Sequence, residues 1–242
     1  MLNGLRNALL SIVFPSSCVV CSSQVDNTDD GSACATCWSE TKLFKGSEML
    51  CSKCGAFFND SGAAVEVFCR KCDDHYYDKA SAAGVYEKAL SAAVISLKST
   101  PVLPPRARAA LLSAFERSNF KGTTLIIPAP LSQRRRLERG FNQAEVLAGI
   151  LSNATGIGID KHSLVRIGHS PIHRVAMDQK ARELTVRNAF AVTRPKLIDG
   201  QKVLIVDDVF TSGATSSYCA KALKKTGAAE VNVLTLARAV MN

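Results

Sequence analysis

Thirteen residues, Val203-Leu204-Ile205-Val206-Asp207-Asp208-Val209-Phe210-Thr211-Ser212-Gly213-Ala214-Thr215, constrain this chain more than any other stretch. Four consecutive apolar residues, three of them β-branched, predict a short strand buried on both faces, the pattern of a parallel sheet under helices. Two carboxylates follow, then a small, hydroxyl-rich turn with one glycine. Ala214 to Thr226 then predicts a helix, closed by Gly227 at the left-handed stop position. In open α/β sheets, ligands sit beyond the carboxyl ends of the strands. A loop that opens a helix there offers free backbone N–H groups and the positive dipole end to a phosphate. Thr211, Ser212 and Thr215 add hydroxyl donors, while Gly213 and Ala214 leave room for close backbone approach. Asp207 and Asp208 would repel a phosphate and suit a polyol, a metal ion or both. The stretch fits a ligand with a phosphate at one end and sugar hydroxyls at the other.

This pattern resembles the phosphoribosyl-pyrophosphate (PRPP) loop of type I phosphoribosyltransferases. The resemblance implies that Asp207 and Asp208 bind the ribose 2- and 3-hydroxyls. Thr211, Ser212, Gly213, Ala214 and Thr215 would cradle the 5-phosphate. The expected fold is α/β: a type I phosphoribosyltransferase-like parallel sheet with helices on both faces, preceded by a small four-cysteine zinc-ribbon module.

That module is read from the cysteines. The chain has nine, and eight form four CxxC pairs: Cys18/Cys21, Cys34/Cys37, Cys51/Cys54 and Cys69/Cys72. Two thiolates on one tight turn, closed by a second such turn, make a tetrahedral zinc site. A disulfide framework needs an oxidising compartment, and no export signal argues for one. A redox CxxC does not explain four copies. About two structural zinc ions are expected, on Cys18, Cys21, Cys34 and Cys37 and on Cys51, Cys54, Cys69 and Cys72, with an alternating pairing still open. The compartment is then reducing, and a cytoplasmic location is expected. Residues 16–77 carry too few long apolar segments for a conventional core, so metal must hold them together. Cys219 stands apart as a small buried apolar residue, and His75 as a surface histidine. We place the N-terminal helix and double zinc ribbon at 1–77 and the sheet domain at 78–242.

Charge is unevenly placed. Residues 1–77 hold 6 Lys/Arg and 9 Asp/Glu, whereas residues 78–242 hold 24 and 12. The basic part needs an anionic partner, PRPP or nucleic acid. No apolar run reaches the roughly 18 residues of a membrane span, and Met1 to Phe14 reads as a short helix ended by Pro15. Ala80 to Tyr86 and Thr124 to Ile127 predict strands; Lys88 to Lys98 and Arg106 to Arg117 predict helices. Arg134, Arg135, Arg136 and Arg139 concentrate four guanidinium groups in an expected loop after a strand end, suited to pyrophosphate or nucleic-acid phosphate. Asn142 and Glu145 have capping-box spacing at the next helix, Asn142 to Asn153.

Cysteine pairs first, then Pro128-Ala-Pro130-Leu131, Arg139-Gly140-Phe141-Asn142-Gln143, Arg182, the Asp207–Thr215 loop and a final Ala-Arg resemble the ComF/GntX family of competence-associated proteins. Lys98 matches that family's Leu-Lys before the first long loop. Two positions depart from the pattern: Ser170-Pro-Ile-His-Arg174 stands for Thr-Pro-x-Gln, and Thr185 for the usual Asn after Arg182. The resemblance implies PRPP binding with Mg²⁺, handling of single-stranded DNA in natural transformation, and partners among other DNA-uptake proteins. Lys98, Arg134, Arg135, Arg136, Arg139 and Asn142 are the candidate pyrophosphate or DNA contacts. The alternative is an active phosphoribosyltransferase, in which Asp207 and Asp208 are the catalytic candidates beside an oxocarbenium-like ribose and pyrophosphate leaves. No base-binding hood is recognisable, which favours the binding reading.

Overall fold

The computed structural model describes residues 16–58, 66–120, 122–167 and 189–240. The expected first helix, His169, His173, Arg174, Asp178, Arg182, Thr185 and Arg187 lie outside the described residues.

The centre is β8, Lys202–Phe210, flanked on one side by β9, Glu230–Arg238, and on the other by β4, Leu125–Pro128. β3, Lys79–Ala82, pairs with the outer side of β9, and β5, Gly158–Ile159, with the outer side of β4. All four pairings are parallel, giving the order β3-β9-β8-β4-β5. The alternation along β8 explains why its apolar run is continuous. Leu204 and Val206 enter one buried cluster and Val203 and Ile205 another.

Helices cover both faces, as the apolar run predicts. On the Leu204 side lie α2, Lys88–Ser96, α3, Pro105–Arg117, and α5, Gln143–Thr155, through Leu90, Leu111, Leu147 and Leu151. On the Val203 side lies α6, Ala214–Lys225, through Cys219, Ala220 and Leu223. Cys219 is fully buried there, as its sequence context predicts. A two-stranded antiparallel sheet, β6 (Leu164–Arg166) with β7 (Phe190–Val192), joins that side through Leu164 and Phe190.

Two expectations are corrected. β8 runs on through Asp207 and Asp208 to Phe210, so the acidic pair lies within the strand's last turn of pleat and not past its end. Pairing of Asp207 with Thr235 and of Val209 with Ala237 on β9 keeps it extended. The arginine-rich segment is not a loop: Gln133–Arg139 forms the short helix α4, capped by the Ser132 hydroxyl and stopped by Gly140 at φ 76°.

The cysteine-rich segment closes the open edge of the sheet. The Ala80 N–H donates to the Lys53 carbonyl at 2.7 Å, and the Phe44 N–H to the Ala83 carbonyl at 2.9 Å. One donor of β3 is thereby paired, and the carbonyl just past its end, which helps protect an edge strand from pairing with another chain. Among the described residues no helix is long and apolar enough to cross a membrane.

Candidate functional site

The eight paired cysteines gather in sequence order. Cys18, Cys21, Cys34 and Cys37 bring their Sγ atoms within 4.8 Å of one another, and so do Cys51, Cys54, Cys69 and Cys72. The alternating arrangement is thereby excluded. In each site a backbone N–H points at sulfur, Val20 N–H to Cys18 at 3.4 Å and Cys69 N–H to Cys51 at 3.3 Å. Burial opposes ionisation of Cys18, yet the N–H groups of Cys34, Cys21 and Val20 outweigh it and lower its pKa to about 6. Cys51 is lowered to about 7 in the same way, whereas burial raises Cys54 to about 11 and drives Cys72 higher still. Four thiols this close cannot all ionise without a cation among them, and a soft tetrahedral ion such as Zn²⁺ is the group the set fits. His75 stands outside both sets; its Nδ1 bonds the Tyr77 hydroxyl at 2.6 Å.

At the carboxyl end of β8 lies a cavity of about 720 Å³. Its walls bring together Asp207 and Asp208 from β8, Thr211 and Thr215 from the following turn, Lys98 after α2, and Arg134, Arg135 and Arg139 from α4. Residues separated by more than a hundred positions therefore face one space. Three zones result: an acidic floor, a hydroxyl-bearing turn at the start of α6, and a mainly cationic wall in which Glu138 pairs with Arg134 at 2.6 Å. Each carboxylate is braced from below, Asp207 Oδ1 accepting from the Asp208 N–H at 2.9 Å and Asp208 Oδ1 from the Val209 N–H at 2.8 Å. Burial, followed by the charge of Asp208, pushes the Asp207 carboxyl well above the usual carboxylate range.

Not every candidate faces the cavity. Arg136 turns away and pairs with Glu145 at 3.3 Å, so Glu145 serves an ion pair and not a capping box. Asn142 lines the wall, but both polar atoms of its side chain are committed. Its Oδ1 caps α5 at the Ala144 N–H, and its Nδ2 donates to the Ala129 carbonyl. Ser212 accepts from the Ala214 N–H at 3.4 Å, a turn-closing bond. Gly213 has φ +79°, and the place of its absent Cβ is taken by Phe210 and His75, at 2.6 and 2.8 Å. The glycine thus serves packing behind the turn as well as its left-handed backbone.

Sequence reasoning missed Tyr86, Gln143 and Arg166, which also line the cavity. It also missed the tie between the second cysteine site and the turn. Arg238, at the end of β9, donates to the Cys54 carbonyl at 2.5 Å and approaches the Cys54 sulfur at 3.6 Å. Its guanidinium lies 4.4 Å from the centre of the Phe210 ring. Phe210 in turn meets Tyr77 edge-on at 5.9 Å, and the Tyr76 N–H donates to the Ser217 hydroxyl of α6. The final Ala-Arg was the available signal, but spacing alone does not say that its arginine reaches back 184 residues to a cysteine.

Comparison with known proteins agrees with this two-part build. The double zinc ribbon domain family matches residues 9–75, and the phosphoribosyl transferase domain family matches residues 130–240. Competence protein F of Haemophilus influenzae is 36% identical over 115 residues, covering 47% of this chain and 50% of that protein. DNA utilization protein YhgH of Salmonella typhi is 34% identical over 113 residues, covering 47% and 48%. A solved glutamine PRPP amidotransferase from B. subtilis aligns with a TM-score of 0.38 at 21% identity, covering 57% of this chain and 29% of that one. The chain spans about half the length of the curated relatives it matches. The N-terminal part is thus similar to double zinc ribbon domains, and the C-terminal part to phosphoribosyl transferase domains and to about half of competence protein F.

Proposed function

We propose that the cavity at the end of β8 binds PRPP together with Mg²⁺, and that the arginines of α4 extend this anionic site to single-stranded DNA in a competence or DNA-utilization role. The observation that carries the reading is the meeting of three charge zones in one cavity: Asp207 and Asp208, Thr211 and Thr215, and Lys98 with Arg134, Arg135 and Arg139. A phosphorylated sugar bearing a diphosphate asks for this division. Carboxylates accept from ribose hydroxyls, hydroxyl and backbone donors take the 5-phosphate, and cations take the diphosphate. Asp207 and Asp208 would also be the residues to hold Mg²⁺, which would supply further charge neutralisation. Arg136 faces outward from the same helix, where a polyanion and not a pocket-sized ligand would meet it.

Titration calorimetry with PRPP and Mg²⁺ tests the first part. Wild-type protein is expected to bind, and Asp207→Ala or Asp208→Ala to lose affinity while retaining the fold; a wild type that does not bind ends the reading. Affinity should also rise with pH as Asp207 loses its proton, because the ionised carboxylate is the better acceptor. The stability consequence has the opposite sign. With its folded pKa raised, Asp207 keeps a proton that the unfolded chain releases, so its contribution falls as pH climbs above about 3.9. Asp207→Asn should flatten that decline. For DNA, anisotropy of a labelled oligonucleotide across a salt series should show a slope of roughly 0.7 per phosphate contacted. Replacing Arg134, Arg135 and Arg136 by Ala should lower affinity and flatten the slope; an unchanged series would remove α4 from the DNA site.

A further inference from the structure

Gln143 opens α5, is 2% exposed, and lines the cavity. Its Nε2 has no hydrogen-bond partner among the described residues. A buried amide donor without a partner leaves its full desolvation cost uncompensated, so a fold keeps one only where something else repays it. Its neighbour Asn142 has both polar side-chain atoms committed, so of the two side-chain amides lining the cavity Gln143 is the one whose donor is unspent among the described residues.

Hydrogen bonds tie the start of α5 to the end of β8. Asn142 Nδ2 donates to the Ala129 carbonyl at 3.0 Å, and the Ala129 N–H donates to the Val206 carbonyl at 2.8 Å. Gln143 follows Asn142, and Asp207 follows Val206. Two hydrogen bonds and two peptide steps therefore join the orphan amide to the acidic floor.

We propose that Gln143 is a specificity-determining residue of this cavity, donating from Nε2 to the oxygen of a ribose hydroxyl that itself donates to Asp207 or Asp208. The inference rests on the ribose-phosphate reading given above. A hydroxyl has one proton and two lone pairs. An ionised carboxylate accepts the hydroxyl's hydrogen bond and leaves its lone pairs unserved, so once Asp207 has lost its proton a site built of Asp207 and Asp208 alone would half-satisfy each hydroxyl. A neutral donor beside them completes the set. The diphosphate does not need it, because Lys98, Arg134, Arg135 and Arg139 already present charged donors, each stronger than an amide.

The test uses the full chain, Gln143→Leu, and three ligands measured by calorimetry with Mg²⁺: PRPP, ribose 5-phosphate and inorganic pyrophosphate. Affinity for PRPP and ribose 5-phosphate should fall about 10- to 100-fold, and affinity for pyrophosphate by less than about 2-fold. The ligand-free variant should melt higher, by about 2–4 °C, since an unpaired polar group has left the interior. A parallel loss for pyrophosphate, an unchanged affinity for the ribose ligands, or a lowered melting temperature would each overturn the proposal. Gln143→Glu supplies the second variant: it keeps the shape, replaces donor by acceptor, and should show the same ligand pattern even if the leucine variant folds poorly. Wild-type protein that binds none of the three ends the ribose-phosphate reading itself. Wild type that binds all three, with both variants binding alike, ends only the role of Gln143.

Discussion

The two cysteine sites have the same set of four thiols but different neighbours. The first, Cys18 to Cys37, packs on helices. Trp38 and Val25 share a core cluster with Leu90 of α2 and with Leu97 just past its end, Asp30 pairs with Arg106 of α3 at 3.0 Å, and Gly31 abuts Pro104. The second, Cys51 to Cys72, packs on the strand ends that carry the site. Arg238 bridges Cys54 to the Phe210 ring, and the chain leaving Cys72 places His75 and Tyr76 against Gly213 and Ser217. Identical metal chemistry therefore serves two ends: one site props a helix layer, and the other braces the turn that faces the cavity.

The largest expected effect tests that division directly. Cys51→Ser or Cys54→Ser should remove one zinc equivalent by elemental analysis and, by freeing Arg238 and the His75 segment, weaken PRPP binding by about 100-fold or more. Cys18→Ser or Cys37→Ser should remove one equivalent as well, yet leave PRPP affinity within about 3-fold. Equal losses from both pairs of variants would show that the ribbons act as one unit and erase the distinction. Both should leave the sheet of β3, β9, β8, β4 and β5 folded, as circular dichroism would report.

Much of this was legible in the sequence. The apolar run of β8 announced a doubly covered parallel sheet because Val203, Leu204, Ile205 and Val206 point alternately into two cores. The CxxC spacing announced the metal sites, because ligand spacing is a local property. Lost were the features fixed by tertiary contact. Gln133–Arg139 reads as a solvated basic loop, since a helix with no buried residue leaves no apolar periodicity to detect. Asp207 and Asp208 look like loop residues, and only the pairing with Thr235 and Ala237 of β9 extends the strand through them. The contact of Arg238 depends on a partner far away in the chain, and the place of Gln143 in the cavity wall on tertiary packing, and no window of sequence contains either.

Glycines sharpen the comparison at the next level of effect. Gly31 and Gly213 have φ values of +71° and +79°, and a Cβ on either would strike a neighbour, Pro104 in one case and Phe210 with His75 in the other. Gly31→Ala and Gly213→Ala should therefore each destabilise by about 2–4 kcal/mol, the sum of a left-handed penalty and overpacking. Gly140→Ala, at φ +76° with nothing within 4 Å of its Cβ, should cost only about 1–2 kcal/mol. Thermal melts rank the three. Only Gly213→Ala should also reduce PRPP affinity when the measurement is made well below the melting temperature. A reduction of the same size in Gly31→Ala would mean that the first ribbon reaches the cavity too.

The smallest predicted effect concerns the arginine at each ribbon. Arg106 is about two-fifths exposed while Asp30 is buried, so Arg106→Ala strands a buried carboxylate at a solvent-reachable rim. It should cost about 1–2 kcal/mol and leave metal retention unchanged. Arg238 is buried, and its partners are a carbonyl and a sulfur of Cys54. A positive fork against a metal-bound thiolate steadies both the charge and the direction of the ligand, a kind of outer support whose loss usually costs 10- to 100-fold in metal affinity. Arg238→Met keeps the apolar contact with Phe210 and removes the donors. Competition with a coloured chelator should then show one zinc leaving about 10- to 100-fold more readily while the other is held as in wild type. Arg238→Lys should recover part of the difference, since one ammonium reaches one partner where the guanidinium reaches two. If both zinc ions in Arg238→Met leave at the wild-type rate, the arginine braces the turn through Phe210 alone, and the second ribbon is joined to the cavity only by the chain that follows Cys72.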